Sequence, residues 1–158
     1  VMISPRHSAG FTLVELMIVI AILAIISAIA VPSFRDLIEG NQRVSCADQL
    51  AGVLEYARSE AVRLQSPITI TELEEDGGIG SGIQVEDSDD TVLQVAEACS
   101  GPSVNMTEGE LPFDFRPNGF IDEEVTIQVC NDGRNGERGR SINLLVSGVL
   151  RNSSLDCD

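Results

Sequence analysis

Three patterns of hydrophobic and polar positions succeed one another along the chain. From Phe11 to Val31 the run FTLVELMIVIAILAIISAIAV contains a single charged residue, Glu15. A helix over this run, rising about 1.5 Å per residue, reaches roughly 30 Å and matches the hydrocarbon core of a bilayer. The segment is therefore long and apolar enough to cross a membrane once. From Ser33 to Gln65, Ala47, Leu50, Leu54, Ala57, Ala61 and Leu64 recur three and four positions apart. Asp48, Glu55, Arg58, Glu60 and Arg63 fill positions between them, which predicts an amphipathic helix lying on a protein surface rather than in lipid. Ser66-Pro67 ends it. Pro32, between the two halves, removes a backbone donor and predicts a bend or local loosening, with Gly40 a second weak point.

Beyond Pro67 the period shortens to that of strands, expected at Ile68–Glu72, Ile83–Glu86, Thr91–Val95, Glu124–Val129 and Ser141–Val146. Turn-rich stretches separate them at Glu74–Gly82, Asp87–Asp90, Ser100–Gly109 and Asn131–Arg140. The pattern predicts an α+β chain, with a long N-terminal helix followed by an antiparallel sheet.

Charge narrows the chemistry. The chain of 158 residues has 25 carboxylates, ten Arg, no Lys and one His, for a net charge of -15. Lysine-dependent catalysis is excluded, and a nucleophile–His pair could use only His7. So acidic a surface repels polyanions, which argues against nucleic acid as a partner. Arg6 and His7 precede the apolar run, while Arg35 after it is offset by Asp36 and Glu39. The positive-inside bias then puts the start of the chain in the cytoplasm and residues 33–158 outside. A secretory signal peptide cleaved at Ala28-Ile29-Ala30 is the competing reading of the same run. Against it stands Glu15, since a carboxylate in a membrane helix costs roughly 2.5–3.5 kcal/mol near the centre and less toward an end, and asks for a partner.

Gly10-Phe11-Thr12-Leu13-Val14-Glu15, followed by the apolar run and Pro32, resembles the N-terminal signal of type IV pilins and type II secretion pseudopilins. The resemblance implies a leader of residues 1–10, removed by a prepilin peptidase that cuts after Gly10 and methylates Phe11. It further implies a membrane and filament-core helix over 11–32, an amphipathic helix over 33–66 and a β-sheet domain over 67–158. Glu15, one turn from the new amine, would pair with the N-terminus of an adjacent subunit and set the filament register, a charge pair that helical spacing also permits within one subunit. The implied partners are major and minor pilins, the peptidase, an inner-membrane assembly platform and lipid. The implied location is a single-pass anchor in the bacterial inner membrane with a periplasmic domain, taken up into a pilus or pseudopilus.

Further along, Tyr56-Ala57-Arg58-Ser59-Glu60-Ala61-Val62, the stretch Phe113–Phe120 and the run Ser141–Gly148 resemble the GspH/FimT group, while residues 72–112 carry no such likeness. This implies a non-catalytic minor pilin of the tip or initiation complex, with a type II secretion minor pseudopilin as the alternative. A DNA-binding competence pilin is a third reading. There the family motif is Gly-Arg-x-Arg, whereas this chain has Gly148-Val149-Leu150-Arg151, keeping only the last Arg, with Arg134, Arg138 and Arg140 nearby.

Cys46, Cys99, Cys130 and Cys157 fall in the part expected in an oxidising compartment, where four cysteines allow three connectivities. Minor pilins of the FimT/FimU kind tie their C-terminus to the last sheet, which implies Cys130–Cys157 and, with it, Cys46–Cys99. The alternative for Cys46 is a buried free thiol. No C-x-x-C exists and the only His precedes the expected cut, so neither metal nor cofactor is expected. Gly77-Gly78-Ile79-Gly80-Ser81-Gly82 resembles a phosphate loop in composition, but no helix follows, and a flexible hairpin connection is expected. Asp87, Asp89 and Asp90 lack the Gly and distal Glu of a calcium loop and are expected to form a solvated turn.

Overall fold

In the computed structural model, residues 11–131 and 138–157 are described. They fall into two compact units divided after Ile38. A single helix, α1, runs Leu13–Leu64 and is continuous through Pro32 and Gly40. Along residues 13–38 its apolar side chains are exposed, from Leu13 and Ile18 to Phe34 and Ile38, as suits a surface that meets lipid or other helices.

The second unit is built on the remainder of α1. The periodic stripe is buried at Ala47, Leu50, Leu54, Ala57 and Ala61, and widened by Cys46 and Val53. Leu64 departs from the stripe and is exposed. It sits in the last turn, where Gln65 takes a left-handed conformation, φ 53°, and its side-chain amide donates to the Val62 carbonyl at 2.7 Å. That bond satisfies one of the carbonyls a helix end leaves open.

Among the described residues eight strands follow: β1 Ile68–Glu72, β2 Gly82–Glu86, β3 Val92–Glu97, β4 Pro102–Glu108, β5 Phe113–Phe115, β6 Val125–Asn131, β7 Arg138–Leu144 and β8 Leu150–Asp156. They form two four-stranded sheets, ordered β3-β2-β1-β5 and β4-β6-β7-β8. All pairings are antiparallel. Ile68, Ile70, Ile83, Val85 and Phe115 from the first sheet join Ile127, Val129, Ile142 and Leu144 from the second and the α1 stripe in one hydrophobic cluster. Burial of each such side chain is worth roughly 1.5–3 kcal/mol.

Several local expectations change. Ser100–Gly109, read as turn-rich, contains β4: its Pro102 and Val104 are buried while Gly101 and Gly109 bound it with positive φ. The last predicted strand is displaced towards the N-terminus, to Arg138–Leu144. β8 was not anticipated. The glycine-rich stretch lies in the connection of the β1–β2 hairpin, as expected, and carries a short 3-10 turn, Ile79–Ser81, within it. Ile79 is buried in the core, and a Cβ at Gly80 would lie 3.3 Å from the Val104 carbonyl. Here close backbone approach, rather than anion binding, uses the small residue.

Candidate assembly site

Thr12 immediately precedes α1. Its hydroxyl accepts from the Glu15 N–H at 3.2 Å, and its own N–H donates to Glu15 Oε2 at 2.9 Å. The Thr12 hydroxyl also donates to Glu15 Oε2, at 2.9 Å. The first two bonds are a reciprocal capping box, in which two amides left open at a helix start are satisfied. The carboxylate also lies at the positive end of the helix dipole. Within one chain, therefore, the partner of Glu15 is Thr12. The Thr-x-x-Glu spacing carries this signal in the sequence. Phe11 is 86% exposed, Gly10 lies outside the described residues, and Pro32 is exposed within the helix.

Two disulfides hold the second unit. Cys46 on α1 is bonded to Cys99 just after β3, and Cys130 on β6 to Cys157 just after β8. Gly139 on β7 leaves room for the latter, since a Cβ there would lie 2.8 Å from Cys130 Sγ. No cysteine is free.

Arg58, on the polar flank of the stripe and within the Tyr56–Val62 string, has a specific task. Its Nε donates to the Gly119 carbonyl at 3.1 Å and its Nη2 to the Ser147 carbonyl at 3.3 Å. These carbonyls belong to the β5–β6 and β7–β8 connections, so one guanidinium ties two distant turns to the helix. Gly119 (φ 77°) and Gly148 (φ 73°) supply the left-handed backbone both turns need. The signal in the sequence was a pair of Gly residues at turn positions, but nothing local connects them to residue 58.

Glu60 is 7% exposed. Arg63 Nε donates to its Oε2 at 2.8 Å, and the Arg63 Nη2 also meets Oε1. These charge-assisted bonds hold the Glu60 carboxyl below its ordinary range, against the opposing effect of burial. The remaining candidates are engaged locally. Glu72 accepts from the Asp76 and Gly78 amides at 3.1 and 2.8 Å, so its own carboxylate fills the place an anion would take in the glycine-rich turn. Asp87 Oδ1 accepts from the Thr91 and Asp89 amides, both at 2.9 Å; these bonds, Thr91 first, hold its carboxyl low. Arg134 lies outside the described residues. Arg140 shares a sheet face with Val129, whereas Arg151 pairs with Asn143 on the opposite face. Arg140 and Arg151 thus do not converge.

The family model "Type II transport protein GspH" matches residues 47–149, and "Prokaryotic N-terminal methylation motif" matches residues 5–31. A fimbrial protein of Pseudomonas aeruginosa is 31% identical over 141 residues, covering 81% of this chain and 83% of that protein. The type IV major alpha-pilin of Moraxella bovis is 52% identical over 42 residues, 27% of this chain and 26% of that one. Among solved structures, the type IV minor pilin FimU of Pseudomonas aeruginosa has a TM-score of 0.61 at 26% identity, covering 73% of this chain and 90% of its own. The minor pseudopilin EpsH from the Type 2 Secretion System of Vibrio cholerae has a TM-score of 0.55 at 11% identity over 71% and 95%, a likeness of fold alone.

Proposed function

The chain belongs to the GspH family, and from that membership we propose that it is a minor type IV pilin, a non-catalytic subunit built into a pilus through its N-terminal helix. The observation that carries this reading is the likeness to FimU, which extends over 90% of that minor pilin's chain. The same reading explains why the helix over 13–38 is apolar and exposed: in a membrane or a filament its partners are lipid or the helices of neighbouring subunits.

Processing follows the family pattern. A prepilin peptidase cuts after Gly10, and Phe11 becomes the methylated N-terminus. Residues 11–32 anchor the chain in the inner membrane, and residues 33–66 and 67–158 form the helix and sheets of a periplasmic domain. An assembly platform then transfers the subunit to the filament. In this scheme the capping box describes the unassembled subunit. Thr12 satisfies the Glu15 carboxylate until an N-terminal amine of an adjacent subunit replaces it, and Glu15 then fixes the register.

The test is Glu15→Ala in the native host. Processing, read by N-terminal mass analysis, should be unchanged, while the amount of the subunit recovered in sheared filaments falls. Normal recovery would refute the role of Glu15, and any start other than methylated Phe11 would refute the processing step. A type II secretion minor pseudopilin is the second reading, favoured by the fold likeness to EpsH. Deletion of the gene separates the two. Loss of surface pili with intact exoprotein secretion supports the pilin, and the reverse supports the pseudopilin.

A further inference from the structure

The outward face of the second sheet follows from its register. Ile127 and Ile142, directly opposite each other, are fully buried, so the residues on either side of them point away from the core. One outward row crosses all four strands as Glu108, Thr126, Asn143 and Arg151. Thr126 Oγ1 donates to Glu108 Oε2 at 2.8 Å and lies 3.1 Å from Asn143 Oδ1. The next row is Asn105, Gln128, Ser141 and Ser153, of which Ser141 is itself buried and leaves Asn105, Gln128 and Ser153 to meet a partner. Along both rows the only carboxylate is Glu108 and the only cation is Arg151. This is unusual in a chain with 25 carboxylates and a net charge of -15.

β4 and β8 are the two edges of the sheet, so Glu108 and Arg151 stand at opposite ends of one row, and both are exposed. Three strand spacings separate them, about 14 Å, too far to pair within one chain. A second copy removes the difficulty. A two-fold axis parallel to the strands, with the sheets face to face, reverses the strand order from side to side and keeps each row over itself. Glu108 of each copy then lies over Arg151 of the other, and hydroxyl and amide side chains meet between them. Two such acidic domains also meet here with less repulsion than on a carboxylate-rich surface.

We propose that the outward face of the β4-β6-β7-β8 sheet is a self-complementary docking surface for a second copy of this chain, with reciprocal Glu108–Arg151 pairs at its two edges. The face measures roughly 20 Å each way, about 400 Å² per partner, half of what a typical stable complex buries. The contact is accordingly weak in dilute solution and forms between copies concentrated in one membrane before assembly. That local concentration rests on the membrane-anchored reading above; the surface itself does not involve Glu15.

The absence of Lys from the sequence makes the test specific. Full-length Arg151→Lys protein, as a mixture of natural-isotope and nitrogen-15 copies, is reconstituted in phosphatidylcholine–phosphatidylglycerol vesicles and treated with a carbodiimide, which forms a zero-length amide between an amine and a carboxylate. Mass spectrometry should find a mixed-isotope cross-link between positions 108 and 151. Glu108→Gln, which removes the reacting carboxylate, is the control for the assignment and should abolish the cross-link, and the exchanged pair Glu108→Lys with Arg151→Glu should give it again. Absence of a mixed-isotope 108–151 cross-link in both the Arg151→Lys and the exchanged protein overturns the proposal. In native membranes, coupling of position 151 to a different protein instead of a second copy also overturns it. Sheared filaments from the same strains separate the two readings: normal incorporation without the cross-link refutes the surface alone, and a cross-link without incorporation refutes the pilin role alone.

Discussion

Truncation of Arg58 to Ala should destabilise the second unit far more than its position on a charged helix flank suggests. The guanidinium makes one hydrogen bond to each of two turns, at Gly119 and Ser147, and these turns are also bonded to each other through the Ile121 N–H and the Val146 carbonyl at 3.1 Å. A hydrogen bond to a charged donor contributes about 1.5–3 kcal/mol when buried. Arg58 is half-buried, so water replaces part of each bond, and roughly 2–3 kcal/mol remains for the pair together with the packed stem. For a unit of this size that corresponds to a drop in Tm of roughly 8–12 °C. Arg58→Lys should recover little, because an ammonium cannot offer a planar fork to two carbonyls. Gly148→Ala tests the same junction from the other side: its φ is 73°, and the added Cβ would collide first with the Gly119 carbonyl that Arg58 binds and then lie 2.6 Å from Arg58 Nε. The double variant should then lose less than the sum of the two single losses. The chain has one Tyr and no Trp, and Tyr56 packs against the core, so tyrosine fluorescence of the full chain in detergent reports unfolding of this unit alone. A Tm within about 2 °C of the parent for Arg58→Ala would refute the reasoning.

Other outcomes follow from the same framework. Leu54 is fully buried, so Leu54→Ala should cost about 2–5 kcal/mol, read by urea titration of the same fluorescence. Replacing Cys130 and Cys157 together by Ser should lower stability by about 3–4 kcal/mol, given the sequence separation of 27; an unchanged urea midpoint would contradict this. Acid should weaken the fold. Glu60 and Asp87 both have carboxyls held low in the folded state, so their contribution is complete above the ordinary carboxylate range and is lost as pH falls through the folded values. Glu60→Gln should be less stable at neutral pH and show a shallower acid loss in Tm against pH. A parallel, undiminished curve would count against the role of the ion pair.

The helix and part of the first sheet were legible because each rests on a local pattern. Ala47 to Ala61 repeat at helical spacing and are buried as that spacing requires, and Ile68–Glu72 is a strand with the expected bounds. β4 and β8 resist such reading. In β4 only Val104 and Met106 give a short apolar alternation between two glycines, and β8, LRNSSLD, buries no face at all. β8 is a strand because β7 pairs with it along its whole length, and Cys157 lies bonded to Cys130 beyond its end. No property of those residues alone compels it. The capping box is written locally as Thr-x-x-Glu, whereas an intermolecular partner for Glu15 has no local signature.

An apolar helix with one carboxylate near its start, its amphipathic continuation and an acidic β-rich remainder are readable locally, since hydrophobic period and charge act over a few residues at a time. Only the packed fold makes Arg58 clasp two turns 61 and 89 positions away, buries Glu60, and sets Glu108 and Arg151 at the two ends of one row on opposite edges. Those outcomes depend on strand order and register, which are set by the packing of two sheets against one helix and by antiparallel pairing across long separations. No window of local sequence contains that information.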